Sequence, residues 1–284
     1  MAFAPAEPPV RRIPPALPRP RTPVGSLVLL VAIGATGLSV YGTEFDLVEL
    51  VAGAGPIERF VLQMFPPDLS MITLRKTGQG VVETFQMSLL GAVIGGVLAL
   101  PLAAIGTADA PTLGASRIVR LVGAAPYHLA RLVLNVFRSI PDILWALVFV
   151  VALGLGPFPG TLALAVHSAG VLGKLFSETL ETVPQRPVEA LRAIGASRLQ
   201  RLMFGRLPQA AGSCLSLTMY QWECNIRSAA ILGFVGAGGI GQEILIAMNL
   251  FDYPRVATLT GATILAVLLV DRLSAVGRRR FAAA

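Results

Sequence analysis

The chain has 284 residues, of which 54% are apolar and only 14% charged, with a mean hydropathy of +0.71. Soluble domains carry about 25% charged residues, so this composition excludes an ordinary soluble domain; the net charge of +7 is not read as nucleic-acid binding, because the arginines flank or interrupt apolar runs. Two cysteines, Cys214 and Cys224, exclude a disulfide framework and a four-cysteine zinc site, and a multi-spanning membrane protein remains.

Residues 1–23 contain eight prolines together with Arg11, Arg12, Arg19 and Arg21. No apolar face forms there, and a disordered basic tail is expected rather than a cleaved signal. The uncharged run Val24 to Gly42 is long enough for a ~30 Å hydrocarbon core and sets a first transmembrane helix at residues 24–43. A polar extracytoplasmic loop follows at 44–79, with Glu44, Asp46, Glu49, Glu58 and Asp68 against Arg59, Arg75 and Lys76. The core, residues 80–275, opens with a second span from Val81 to Ile105. Residues 106–126 read as a loop, and Tyr127 to Asn135 as an amphipathic lead-in.

From Ile143 to Gly173 no Asp, Glu, Lys or Arg occurs over 31 residues. That run is too long for one helix and is cut by the turn-forming cluster Gly154 to Gly160, so two helices in a tight hairpin are predicted. A fifth span runs from Leu207 to about Gln242, interrupted by Glu223 and Arg227, and the last from Val256 to Val270. A basic end, residues 276–284, closes the chain. Six spans place both termini on one face. Eighteen basic residues lie on that face and four on the other, so the positive-inside rule makes both termini cytoplasmic.

Candidate site residues are few. Arg138 and Asp142, and Glu223 and Arg227, are four apart, a spacing that puts each pair on one helix face. At membrane depth each such charge costs about 2.5–3.5 kcal/mol, so these groups are expected at helix ends or facing protein or a water-filled path. His167 with Ser168 fits a helix–helix hydrogen bond or a path lining. Gly91 and Gly95 suit close helix packing. Gly236, Gly238 and Gly241 satisfy the spacing of a dinucleotide fingerprint, but the run before them is a membrane span, not a strand. With Gly239 they read instead as a helix interruption, either packing or gate. No catalytic triad, metal motif or assignable carboxylate pair occurs, and the chain is expected to be no enzyme. Its two lysines, Lys76 and Lys174, fit no phosphate-binding Walker A loop. Energy then comes from another chain or from an ion gradient; a gradient-driven carrier usually shows internal repeats, and none is evident. A membrane enzyme would need clustered polar catalytic residues at one interface.

The polar stretch 184–208 is the most informative. Val188, Leu191, Ile194, Leu199 and Leu202 recur at helical spacing, with Arg192, Arg198, Arg201 and Arg206 mostly off that stripe. Such a segment either lies in the lipid interface or docks on a cytoplasmic partner. It resembles the coupling loop of bacterial ABC-importer permeases. Glu189 and Ala190, then Gly195, then Leu207 and Pro208 fall in register with that motif; Leu191 replaces a small residue and Gly205 an isoleucine. Phe137 to Leu147, His167 to Lys174, Tyr220 to Arg227 and Leu232 to Gln242 resemble the phosphonate-importer permeases. The resemblance covers about residues 80–275 and implies an all-α type I ABC-importer permease core with cytoplasmic coupling helices. It implies a homodimer in the bacterial cytoplasmic membrane, fed by an extracytoplasmic substrate-binding protein and driven by an ABC ATPase dimer that holds the ATP and Mg. Carriage of phosphonate, phosphite or a related oxyanion is implied, with a same-fold importer for methionine or another nutrient as the rival. Candidate path or gate residues are then Arg138, Asp142, His167, Ser168, Glu223, Asn225, Arg227, Gly236, Gly238 and Gly239.

Overall fold

A computed structural model describes residues 24–43, 46, 48, 52–107 and 117–281. The expected tail at 1–23, and Glu44 and Glu49 of the expected loop, lie outside the described residues. Among the described residues every regular element is helical: α1 Val24–Gly42, α2 Ala54–Gln63, α3 Met71–Ile105, α4 Arg117–Ser139, α5 Asp142–Leu153, α6 Pro157–Thr182, α7 Gln185–Ala193, α8 Leu207–Leu232, α9 Gly239–Asn249 and α10 Tyr253–Phe281. The chain divides into two compact units, Met1–Glu58 and Arg59–Ala284. In the first, α1 carries Leu27 to Val31, Ile33 and Leu38 as exposed apolar side chains, as a helix solvated by lipid requires.

In the second unit α6 is central, packing against α3, α4, α5 and α8. The α3–α6 contact is close because α3 presents glycines to it: a Cβ on Gly91 would stand 2.6 Å from Leu164 Cβ, and one on Gly95 2.5 Å from Ser168 Cβ. Small residues substitute for the hydrophobic drive that lipid removes. Phe176, Leu172 and Leu180 of α6 fill the interior against Ala99 and Ala103 of α3. Met87, Leu164, Ala229 and Leu232 form a second buried cluster.

Three helices (α1, α3 and α10) are long and apolar enough to cross a membrane, and up to five spans result if each of two bent pairs counts as one. Six spans were expected. The difference lies in the hairpin's second arm, α6, which is not among those candidates; the first arm, α5, has 12 residues and about 18 Å of length, too short alone for the hydrocarbon core. It continues from α4 through an 89° bend instead. The expected break between the arms is present, with Gly154 at φ +97° and Gly156 at φ +135° between α5 and α6.

Two loop boundaries shift. The 44–79 segment contains α2, and α3 reaches back to Met71 because a cap starts it there. Asp68 accepts from the Ser70 amide at 2.9 Å and from the Thr73 hydroxyl, while the Ser70 hydroxyl accepts from Thr73 N at 3.4 Å. Asp68 is itself anchored, its amide donating to Pro254 O at 3.1 Å and its carbonyl accepting from Thr258 Oγ1 at 2.7 Å. The loop expected at 106–126 likewise includes the start of α4 at Arg117.

Candidate functional site

The α4–α5 bend follows from Pro141. That residue has no amide hydrogen, so the Phe137 carbonyl loses its helical donor and the indole of Trp145 supplies one at 3.2 Å. Leu144 N donates to Pro141 O at 3.0 Å, which frees the Ile140 carbonyl for Nδ1 of His167 at 3.2 Å. A carbonyl only accepts, so Nδ1 carries a proton. His167 thus braces the break. Arg138 and Asp142 stand on its two sides and do not share a helix face: Arg138 donates to Asn135 Oδ1 at 3.1 Å, and Asp142 accepts from Ile143 N at 2.9 Å. The expectation that these two share one helix face is corrected, because four-residue spacing places side chains together only in an unbroken helix.

Ser168 and Asn225 meet at the middle of the bundle. The Asn225 amide lies 3.0–3.1 Å from the Ser168 hydroxyl and 2.9 Å from Gln221 Nε2, while Trp222 Nε1 donates to the Ser88 hydroxyl at 3.3 Å. Ser168 is 0% exposed and Asn225 2%, so this network lies inside the chain and joins α3, α6 and α8. A buried amide without partners costs kilocalories, so the groups satisfy one another. Ser88, Gln221 and Trp222 were not singled out from sequence. Gln221 and Asn225 are one helical turn apart, and Ser88 lies on the glycine face of α3; those spacings were the available signal.

Glu223 and Arg227 do pair, at 3.1 Å, and the pair extends across to α10. Arg227 contacts Asp271 at 3.0 Å and Arg278 contacts Glu223 at 2.6 Å, giving a chain of four alternating charges. Arg278 also donates to Ser274 Oγ at 2.7 Å, and Ser274 to Met219 O at 2.8 Å. Arg227 is 47% exposed and sits inside this chain, the one expected path arginine held between two carboxylates.

The glycine run interrupts the helix as expected. After α8 a short 3-10 turn, Gly233–Val235, leads to Gly236 at φ +84°, Gly238 at φ +79° and Gly239 at φ +74°, and α9 leaves at 43°. A left-handed backbone repeated this closely is the province of glycine. The first amides of α9 find partners on α3: Gly239 N donates to Glu83 Oε2 at 3.1 Å and Ile240 N to Thr84 Oγ1 at 2.9 Å. A carboxylate at a helix N-terminus is electrostatically favourable. A polar cavity of about 280 Å³ opens here, lined by Lys76, Gln79, Glu83 and Gln242 among others.

In the coupling segment, Glu189 and Ala190 are exposed on α7. Gly195 ends that helix at φ +80°, with Ala196 N donating to Leu191 O at 3.0 Å. Ser197 and Gln200 form a reciprocal capping box that opens the next turn, Arg198–Gln200. Arg201–Arg206 is π-helical and runs into α8, which begins with Leu207 and Pro208. Gly205 is buried where that stretch meets α7; a Cβ there would stand 3.1 Å from Leu191 Cδ1 and 3.4 Å from Val188 Cγ2. The apolar stripe therefore divides. Val188, Leu191 and Leu202 turn inward, while Ile194 (80% exposed), Leu199 and Phe204 (73%) face outward. The arginines are not all on an outer face: Arg198 donates to the carbonyls of Ile105 and Thr107 at 3.1 and 3.0 Å, capping α3. Arg131 adds a bond to Gly106 O at 2.7 Å and pairs with Glu181 at 2.6 Å.

An all-helical membrane bundle with a buried polar centre, a glycine-broken helix and a capped segment of exposed apolar residues is the architecture of a transport permease. The chain belongs to the family of binding-protein-dependent transport system inner membrane components, which matches residues 112–282. It is 35% identical over 257 residues to the phosphite transport system permease protein PtxC of Stutzerimonas stutzeri, covering 89% of this chain and 86% of that one. Identity to the putative phosphite transport system permease protein HtxC of the same organism is 33% over 245 residues, or 86% and 83% of the two chains. The phosphate-import permease protein PhnE of Mycolicibacterium smegmatis is 34% identical over 246 residues, 87% of this chain and 44% of that one. The inward-facing MetNI methionine ABC transporter shares the fold, with a TM-score of 0.64 at 24% identity, over 75% of this chain and 99% of that one.

Proposed function

We propose that this chain is the permease subunit of an ATP-driven importer carrying phosphite, phosphonate or a related small phosphorus oxyanion. The observation that carries the reading is the 35% identity to a phosphite permease over nearly the whole chain. Two copies line a pathway between them, an extracytoplasmic binding protein delivers the anion, and two ATPase subunits hold the ATP and Mg. Both termini and the coupling segment lie in the cytoplasm of the bacterial cell, where the ATPase grips Glu189, Ala190 and the exposed Ile194 and Phe204. Gly195 lets the lever turn sharply, and Leu207 and Pro208 pass its movement directly into α8.

Within the pathway, Arg227 supplies the positive potential. Glu223 and Asp271 moderate it, since an anion site of unscreened strength would slow release. Arg138 and Asp142 flank the bend, and Gly236, Gly238 and Gly239 form the gate hinge. Ser168, Asn225 and His167 keep the moving helices in register. The test is reconstitution with an ATPase and binding protein, measuring ATP turnover against phosphite, phosphonate, phosphate and methionine. Stimulation by a phosphorus oxyanion is expected, with Arg227→Ala lowering uptake and leaving assembly intact. Stimulation by methionine alone removes the substrate assignment, and no ATPase engagement removes the importer reading.

A further inference from the structure

A cavity of about 350 Å³ lies at the foot of α3, apart from the polar centre and the charge chain. Ile105, Pro126, Leu199 and Leu202 give it apolar walls, and Arg198, Arg201 and Arg206 give it three cations. Its height is set by α3, whose exposed Val97, Leu98, Leu100 and Ile105 continue down to this point before the chain turns polar at Gly106. Ile105 is also the last residue of α3, one of the helices long and apolar enough to cross a membrane. The arginines are held by the protein: Arg198 on the carbonyls of Ile105 and Thr107, Arg201 on Ala196 O at 2.7 Å, and Arg206 almost wholly buried. The site needs no idle arginine, because a five-donor planar fork anchored along one edge is a preorganised phosphate contact.

We propose that this cavity binds the headgroup phosphate of an anionic phospholipid, with an acyl chain against Ile105 and Leu199. Charge and shape together select that occupant. A free phosphate matches the arginines but leaves the apolar walls wet, whereas an amphiphile satisfies both. The bound lipid joins the end of α3 and Pro126 of α4 to the segment that, on the proposed function, contacts the ATPase, so coupling depends on anionic lipid whatever solute is carried.

The experiment uses the full chain purified in mild detergent, with retained phospholipid identified by mass spectrometry. Wild type is expected to retain phosphatidylglycerol or cardiolipin. The double variant Arg201→Gln, Arg206→Gln is expected to retain about tenfold less, since each basic group near the surface contributes to anionic-lipid affinity. Leu199→Asp, at an exposed position where the fold tolerates change, is expected to lose the lipid too, which covers failure of the double variant to fold. Arg186→Gln, on exposed α7, should retain it. Equal lipid retention by wild type, Leu199→Asp and the double variant would overturn the proposal. So would displacement of the lipid by inorganic phosphate alone, which would mark the cavity as a simple ion site.

Discussion

Asn225 looks from its sequence context like a pathway residue, yet its amide is enclosed by Ser168 and Gln221. In a bilayer a single interhelical hydrogen bond contributes about 0.6 kcal/mol on average. Removing Asn225 strands two partners at once and leaves a small void, so Asn225→Ala should destabilise the detergent-solubilised protein by about 2 kcal/mol. Thermal unfolding measures this, and the effect should not add to that of Gln221→Ala because the two share partners. An unchanged melting temperature with altered uptake would return Asn225 to the pathway. Gly239 makes a different argument. Its φ of +74° and a Cβ position 2.6 Å from Thr84 Oγ1 mean that Gly239→Ala strains the backbone and displaces the cap of Ile240. A cost of about 1–2 kcal/mol for the left-handed alanine alone is expected, read in the same unfolding assay. The glycine run could be recognised in the sequence because chirality leaves few uses for so many glycines. The enclosure of Asn225 could not, because Gln221 is one turn away on the same helix but Ser168, which closes the site, comes from a helix more than fifty residues away.

At the scale of elements, what the sequence hid were the ends and bends. Periodicity places helices, but partners place their termini. The start of α3 depends on Asp68, and Asp68 depends on Pro254 and Thr258 across the fold. Pro141 was visible, yet the four-residue spacing of Arg138 and Asp142 suggested a continuous helix that Pro141 prevents. The Asp68 cap has a pH signature. The Thr73 hydroxyl, followed by the Ser70 amide, holds its carboxyl below the usual carboxylate range. A lowered folded pKa means the carboxylate's contribution is fully present above the unfolded value of about 3.9 and is lost as pH falls through the folded one. Amide exchange at the start of α3, corrected for intrinsic rate, should therefore keep constant protection from pH 8 to about 5 and lose it only below about 4. Asp68→Asn should show the low-pH behaviour at neutral pH. His167→Ala should loosen the α4–α5 bend by about 0.5–1.5 kcal/mol in the same unfolding assay, since the ring braces a carbonyl.

For the whole molecule the decisive quantity is the distribution of charge along the chain, because the proposal that both ends share the cytoplasm rests on it. Eighteen basic residues fall on one face and four on the other only if six spans cross, whereas the candidate helices among the described residues give at most five, so the orientation turns on whether α6 crosses. The bent pairs make it testable in detail, because α4–α5 either crosses the bilayer or re-enters it. Single cysteines at three exposed sites separate the cases, with Cys214 and Cys224 first replaced by serine: Leu155→Cys in the turn between α5 and α6, Leu250→Cys after α9, and Phe204→Cys in the coupling segment. A membrane-impermeant maleimide should label residues 155 and 250 in intact cells, and 204 only after permeabilisation. That outcome requires α6 to cross, because it alone connects the first turn to the coupling segment. Labelling at 250 but not at 155 would make the α4–α5 pair re-entrant and leave α6 short of the outer surface. Labelling at 204 in intact cells would invert the chain and place its lever where no ATP is found.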